Sequence, residues 1–255
     1  MGWCLLAALA LAGCGSASGA DWQALADGMV GLAPSPDFGY RPVVLSEFDV
    51  NRYFEVLDRL HMREGYTLDW VYTAGERVGS FVVIDELPSG SEPVLYARRV
   101  DAPRFRSYDE FAASLSAPMD PASPDYLAYV ETDGTDEGYF QLVLLHLLGS
   151  RFYIYWHAAY GDLAVACDRA AIGRAIEAQT GDYGAPKFWL RLRAPFMRVA
   201  PQVEQDGETV RVSVVIFSRF EGFVRRTYSL RAEGAPRIIG IDQRVLVPYN
   251  AGIVY

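Results

Sequence analysis

Residues 153–162 hold the densest run of side chains able to do chemistry: Tyr153, Tyr155, Trp156, His157, Tyr160 and Asp162. Read as a strand leaving Arg151, the run places Tyr153, Tyr155 and His157 on one face and Ile154 and Trp156 on the other. Aromatic rings beside an imidazole and a carboxylate at a hairpin end make a ligand platform of the kind that takes a sugar. A plain hairpin, with wet tyrosine hydroxyls and a turn-bonded histidine, accounts for the same residues. Elsewhere the familiar motifs are missing. His61 and His146 sit in apolar runs and read as core or boundary residues. The chain has no His-Glu-x-x-His, Cys-x-x-Cys or Gly-x-Ser-x-Gly, and neither a P-loop nor a Gly-x-Gly-x-x-Gly opens a helix. A metalloenzyme, a nucleotide enzyme and an α/β-hydrolase are therefore disfavoured, and no cofactor or metal is expected. Asp120, Asp125, Asp133, Asp136 and Glu137 lack the spacing of a calcium loop and read as solvated loop acids, Asp133-Gly134 being a turn.

A different chemistry is written at the N-terminus. The apolar run Leu5 to Leu11 leads into Leu11-Ala12-Gly13-Cys14, followed at once by Gly15-Ser16-Ala17-Ser18-Gly19. This arrangement resembles the signal peptide and lipobox of bacterial lipoprotein precursors. The resemblance covers about the first twenty residues and is specific only for processing. It implies cleavage before Cys14, lipidation of that sulfur by a diacylglycerol thioether, and usually an added fatty acyl chain such as palmitate. One acyl chain holds a protein only marginally, whereas several make attachment effectively permanent. Gly15 in place of an aspartate favours the outer membrane in a diderm cell. Met1-Gly2-Trp3-Cys4 departs from the pattern in lacking the usual basic residue. The apolar run is too short to span a bilayer.

Cys4 would leave with the signal and Cys14 would carry lipid, so Cys167 is left without a partner and reads as a buried, inert thiol. A domain of about 240 residues can rely on its own core. The formal net charge of −9 makes nonspecific nucleic-acid binding a poor candidate. The charge is uneven: residues 1–150 hold 22 acids and 9 bases, and residues 151–255 hold 10 acids and 14 bases. Arg191, Arg193, Arg211, Arg225, Arg226 and Arg231 are expected on one face of a C-terminal sheet. That face meets either the acidic half of the same chain or an anionic partner.

These side chains must be positioned by an α+β body. Residues 14–40 read as the lipidated cysteine and a flexible tether, with a short helix within Asp21 to Leu32. Residues 41–255 read as one domain. Ser46 to Gly65 carries a helical stripe (Val50, Phe54, Leu57, His61) behind a capping pattern. Thr67–Tyr72, Ser80–Ile84 and Val94–Arg98 read as strands, and Ser107 caps a short helix to about Leu115. Gln141–Leu148 fits a buried helix or the first strand of a hairpin with Arg151–His157; the Gly149-Ser150 turn favours strands. Leu163–Cys167 reads as a strand and Asp168–Gln179 as a helix capped by Asp168. Phe188–Arg193, a strand near Met197–Val203, Thr209–Ser218, Phe223–Arg231 and Arg237–Val247 then form an antiparallel meander turning at Asp206-Gly207 and Glu221-Gly222.

The expectation is thus a lipid-anchored, non-enzymatic envelope protein whose domain binds a ligand or partner, an envelope protein or a glycan. The alternatives are an envelope hydrolase with an unconventional site near His157 and Asp162, and a passive structural or assembly lipoprotein.

Overall fold

The computed structural model describes residues 21–34, 47–73, 83–84, 87–88, 93–115, 122–152, 163–180, 187–232 and 236–251. In chain order the first half holds α1 (Trp22–Leu32), β1 (Leu60–Met62), β2 (Tyr66–Tyr72), β3 (Val83–Ile84), β4 (Leu87–Pro88), β5 (Pro93–Arg99), α2 (Tyr108–Ser114), β6 (Ala122–Ser123), β7 (Val130–Thr132) and α3 (Asp136–Leu148). The second half adds β8 (Ala164–Ala166), α4 (Arg169–Thr180), α5 (Phe188–Arg193), β9 (Gln202–Asp206), β10 (Thr209–Ser218), β11 (Gly222–Arg231) and β12 (Arg237–Pro248). The class is α+β, and every strand pairing among the described residues is antiparallel.

Strands β9 to β12 form a meander as expected from Thr209 onward, but its first strand is Gln202–Asp206 and most of Met197–Val203 is irregular. Gly207 (φ 59°) and Gly222 (φ 83°) take the left-handed backbone that tight turns demand. The main sheet runs β12-β11-β10-β8, and β9 shares the β8 edge of β10. Alternation along β10 separates two cores. Val210, Val212, Val214 and Ile216 face α1 and α3, while Val215 and Phe217 pack with Ile172 and Ile176 of α4 and Leu190 of α5. A smaller sheet, β2-β5-β6, carries the Tyr96, Phe105 and Phe111 cluster under α2. Ser107 caps α2 by accepting from Glu110 N, and Asp168 accepts from Ala171 N at 2.7 Å at the start of α4.

Four local expectations are corrected. Residues 141–148 form the C-terminal part of helix α3, not a strand. Thr135 caps the helix, and the side chains from Tyr139 to Leu145 are all buried. A helix apolar on every side has no stripe to reveal its period, and a leucine-rich run favours helix once the core surrounds it. Its proposed partner strand falls mostly on residues outside the described set.

The segment from Ser46 to Gly65 is not one helix. A 3₁₀ turn at Val50–Glu55, capped by Asp49, is all that forms before β1. Tertiary hydrogen bonds displace the rest. The Asn51 side chain pairs with both backbone groups of Leu68, at 2.9 and 3.0 Å, and Arg59 N donates to Gln141 Oε1 at 2.8 Å. Val50 and Tyr53 still enter the core, at the i,i+3 spacing of a 3₁₀ helix.

Phe188–Arg193 is helix α5: only Leu190 to Arg193 alternate, too short a run to separate the two periods, and Leu190 with Ala194 reaches the core at i,i+4. The shared arginine face is consequently not built. Arg191 and Arg193 lie on α5, and neighbouring Arg225 and Arg226 point to opposite faces of β11.

Finally, the helix expected within Asp21 to Leu32 forms but belongs to the core rather than to a loose tether. Helix α1 buries Gln23, Ala26 and Met29, and Trp22 meets Phe140 edge-on at 4.4 Å. Gln23 behaves as a surrogate strand: its amide donates to Val165 O and accepts from Cys167 N.

Candidate ligand cleft

The residues singled out in the sequence (Cys14, Tyr153, Tyr155, His157, Tyr160 and Asp162) lie outside the described residues. The described residues enclose a cleft of about 710 Å³. Its walls are the segment Pro124–Leu127 on one side and Arg231, Arg237, Ile238 and Ile239 on the other, with His146 of α3 beside them. Local backbone explains the shape. The β11–β12 register shifts near Ser229/Leu230, leaving Ile239 between Ile238 (opposite Leu230) and Gly240 (opposite Ser229). Such a bulge bends the strand and re-aims its side chains. Ile239 and Ile241 are left exposed on this edge strand.

The electrostatics are mixed. Arg237 donates to Asp125 across the cleft at 2.8 Å, so Arg231 carries the excess positive charge of the lining. His146 is half-buried, its ring edge-on to Tyr228 at 5.6 Å. Burial, and then the Arg226 charge, hold the imidazole below its ordinary value. Burial and the Asp125 carboxylate push the Tyr126 phenol upward. At neutral pH the cleft therefore holds the Arg237–Asp125 pair, the Arg231 guanidinium and a neutral imidazole along an apolar strand edge, with the Tyr126 phenol un-ionised. Arg231 is the group there with the chemistry to meet a carboxylate.

Asp125, His146 and Arg231 each stood out singly in the sequence, yet nothing there joined them, because the lining comes from three segments far apart in the chain. Arg237 and Tyr126 carried no signal beyond residue type. His61 proved exposed, pairing with Glu131 at 3.2 Å, whereas Cys167 is buried as expected and its thiol is pushed up to about 12, chiefly by desolvation. Asp133-Gly134 is the expected turn, with Gly134 at φ 77°. Among the described residues, no three His, Cys, Asp or Glu side chains gather in a metal-holding group.

A second charged constellation is structural. Asp69 is almost fully buried and accepts from Arg98 Nε (3.0 Å), Arg104 Nε (2.9 Å), Arg104 Nη2 (2.6 Å) and Trp70 N (3.0 Å). It ties β2 to β5 and to the loop leading into α2.

Among the described residues, two ion pairs join the arginine-rich half to the acidic half through arginines other than the six expected. Arg174 pairs with Asp27 at 3.0 Å, alongside the Arg237–Asp125 pair. No protein-family model, curated protein or solved structure matches this chain.

Proposed function

We propose that the chain is a lipid-anchored bacterial envelope protein whose α+β domain binds a ligand or partner without turning it over. The order of the N-terminus carries the reading: an apolar run, Leu-Ala-Gly-Cys, then a short Gly/Ser spacer. Helix α1 begins soon after that spacer and is locked into the core, so the anchor would hold the domain close to the bilayer. The cleft beside Arg231 and Arg237 supplies a binding surface, and the sequence carries none of the familiar catalytic motifs.

Cell fractionation tests the anchor. Wild-type protein is expected in the membrane fraction, released by detergent but not by high salt, with Cys14→Ser released by salt alone. Wild-type protein in the aqueous fraction, or salt-resistant retention of Cys14→Ser, would overturn it.

A further inference from the structure

Helix α5 and the 3₁₀ turn that follows it (Ala194–Phe196) hold four of the ten exposed large hydrophobic side chains among the described residues. Phe188 is 64% exposed, Trp189 58%, Leu192 48% and Phe196 84%. Exposure on this scale asks for a partner. At about 100° per residue, Phe188, Leu192 and Trp189 occupy one arc of α5, opposite buried Leu190 and Ala194. Arg191 and Arg193 flank that arc. Residues 187–203 contain four basic residues (Lys187, Arg191, Arg193 and Arg198) and no acid, in a chain whose net charge is −9; Glu177 of α4 offsets Arg191, so Lys187, Arg193 and Arg198 supply the local excess. Arg193 lies over the Trp189 ring at 5.5 Å, its charge drawn to the side of the arc.

Aromatic residues on one arc with arginines at its margins are the composition of a segment lying in the headgroup region of an anionic bilayer. We propose that Phe188–Arg198 is a membrane-contacting patch that seats the domain on an anionic lipid surface. Its place in the fold agrees. Arg191 pairs with Glu177 of α4 at 2.6 Å, and Arg174 of α4 pairs with Asp27 of α1 at 3.0 Å, so α1, α4 and α5 stand side by side on one flank. Seven residue steps separate Cys14 from Asp21, a reach of at most about 25 Å. An anchor at Cys14 would therefore hold this flank near the bilayer, where the patch adds a weaker, salt-sensitive contact and fixes orientation.

This proposal takes only its placement from the anchored reading, and its test dispenses with Cys14. A chain beginning at Gly15 keeps every described residue. It is sedimented with vesicles of phosphatidylglycerol and phosphatidylethanolamine, and separately with neutral phosphatidylcholine vesicles. The expected result is binding to the anionic vesicles that weakens with salt. Trp189→Ser with Phe196→Ser, both at exposed positions, should lower partitioning at least about tenfold, or about 1.4 kcal/mol, at unchanged thermal stability. Brominated lipid should quench the wild-type tryptophan emission more than that of Trp189→Phe, which still binds. Wild-type protein left in the supernatant, or a double variant that binds equally well, would overturn the proposal. So would a lipid-free dimer that the double variant disperses, since the patch would then serve a second copy of the chain.

Discussion

Removing the Asp69 carboxylate is the most informative single perturbation of the fold. Its side chain is 2% exposed and accepts from two guanidinium groups and one backbone amide. In Asp69→Ala the two arginines fare differently. Arg98 is 12% exposed and keeps bonds to Arg99 O and Ala102 O, but its Nε loses its acceptor in a dry setting. Arg104 is 43% exposed and turns to water, so screening discounts its loss. Breaking a buried pair by deleting one partner costs about 3–5 kcal/mol. With Arg98 partly satisfied and Arg104 hydrated, the low end applies, about 3 kcal/mol. Arg104→Ala should cost at most about 1 kcal/mol, because Asp69 retains Arg98 and Trp70 N. Urea unfolding reads the difference: at a slope of about 3 kcal/mol/M, Asp69→Ala lowers the midpoint by about 1 M. Asp69→Leu combined with Arg98→Met should recover much of the loss, since apolar replacement of both partners removes the stranded charge. The reasoning is refuted if Asp69→Ala costs no more than Arg104→Ala, or if the double replacement is worse than Asp69→Ala.

Three further outcomes follow from single positions. Gly222→Ala should cost at least about 3 kcal/mol, since its φ is 83° and a Cβ would stand 2.2 Å from Val247 O; Gly207→Ala, at φ 59° with nothing within 4 Å, should cost about 1 kcal/mol by the same unfolding assay. Cys167, with its thiol pushed up to about 12, should resist a thiol reagent at about pH 8 in the folded chain beginning at Gly15 and react once denatured. His146 is held below 6.5, so the unfolded chain binds a proton that the folded chain resists. Its contribution to stability is present above pH 6.5 and is lost as pH falls from there through the lower folded value. His146→Gln should flatten that part of a melting-temperature profile between about pH 7.5 and pH 5, and an unchanged slope would contradict the assignment.

Where a local signal is chemically decisive, sequence and structure agree. The glycines after Asp206 and Glu221 set the meander turns, and Ser107 and Asp168 open α2 and α4 because their side chains meet orphan helix amides. Distant partners decided the remainder. Asn51 and Gln141 cut short a helix that the stripe from Val50 to His61 supported, by bonding backbone groups 17 and 82 residues away. Helix α3 buries side chains on all sides, so the hydrophobic period that separates helix from strand was absent from its sequence. The cleft was legible only as separate residues, because proximity of Tyr126, His146 and Arg231 exists only once the sheet, α3 and the segment before β7 come together. The exposed arc of α5 was concealed by a strand assignment that alternated Leu190 and Leu192 with Arg191 and Arg193. As a helix, the segment buries Leu190 and leaves Leu192 outside.

The central claim is that Cys14 becomes the N-terminal residue and carries lipid. Mass spectrometry of the N-terminal peptide from protein purified out of bacterial membranes tests it directly. The expected peptide begins at Cys14 and has the mass of a diacylglyceryl thioether, and no such species arises from Cys14→Ser. A peptide beginning elsewhere, or Cys14 with an unmodified thiol, would contradict it.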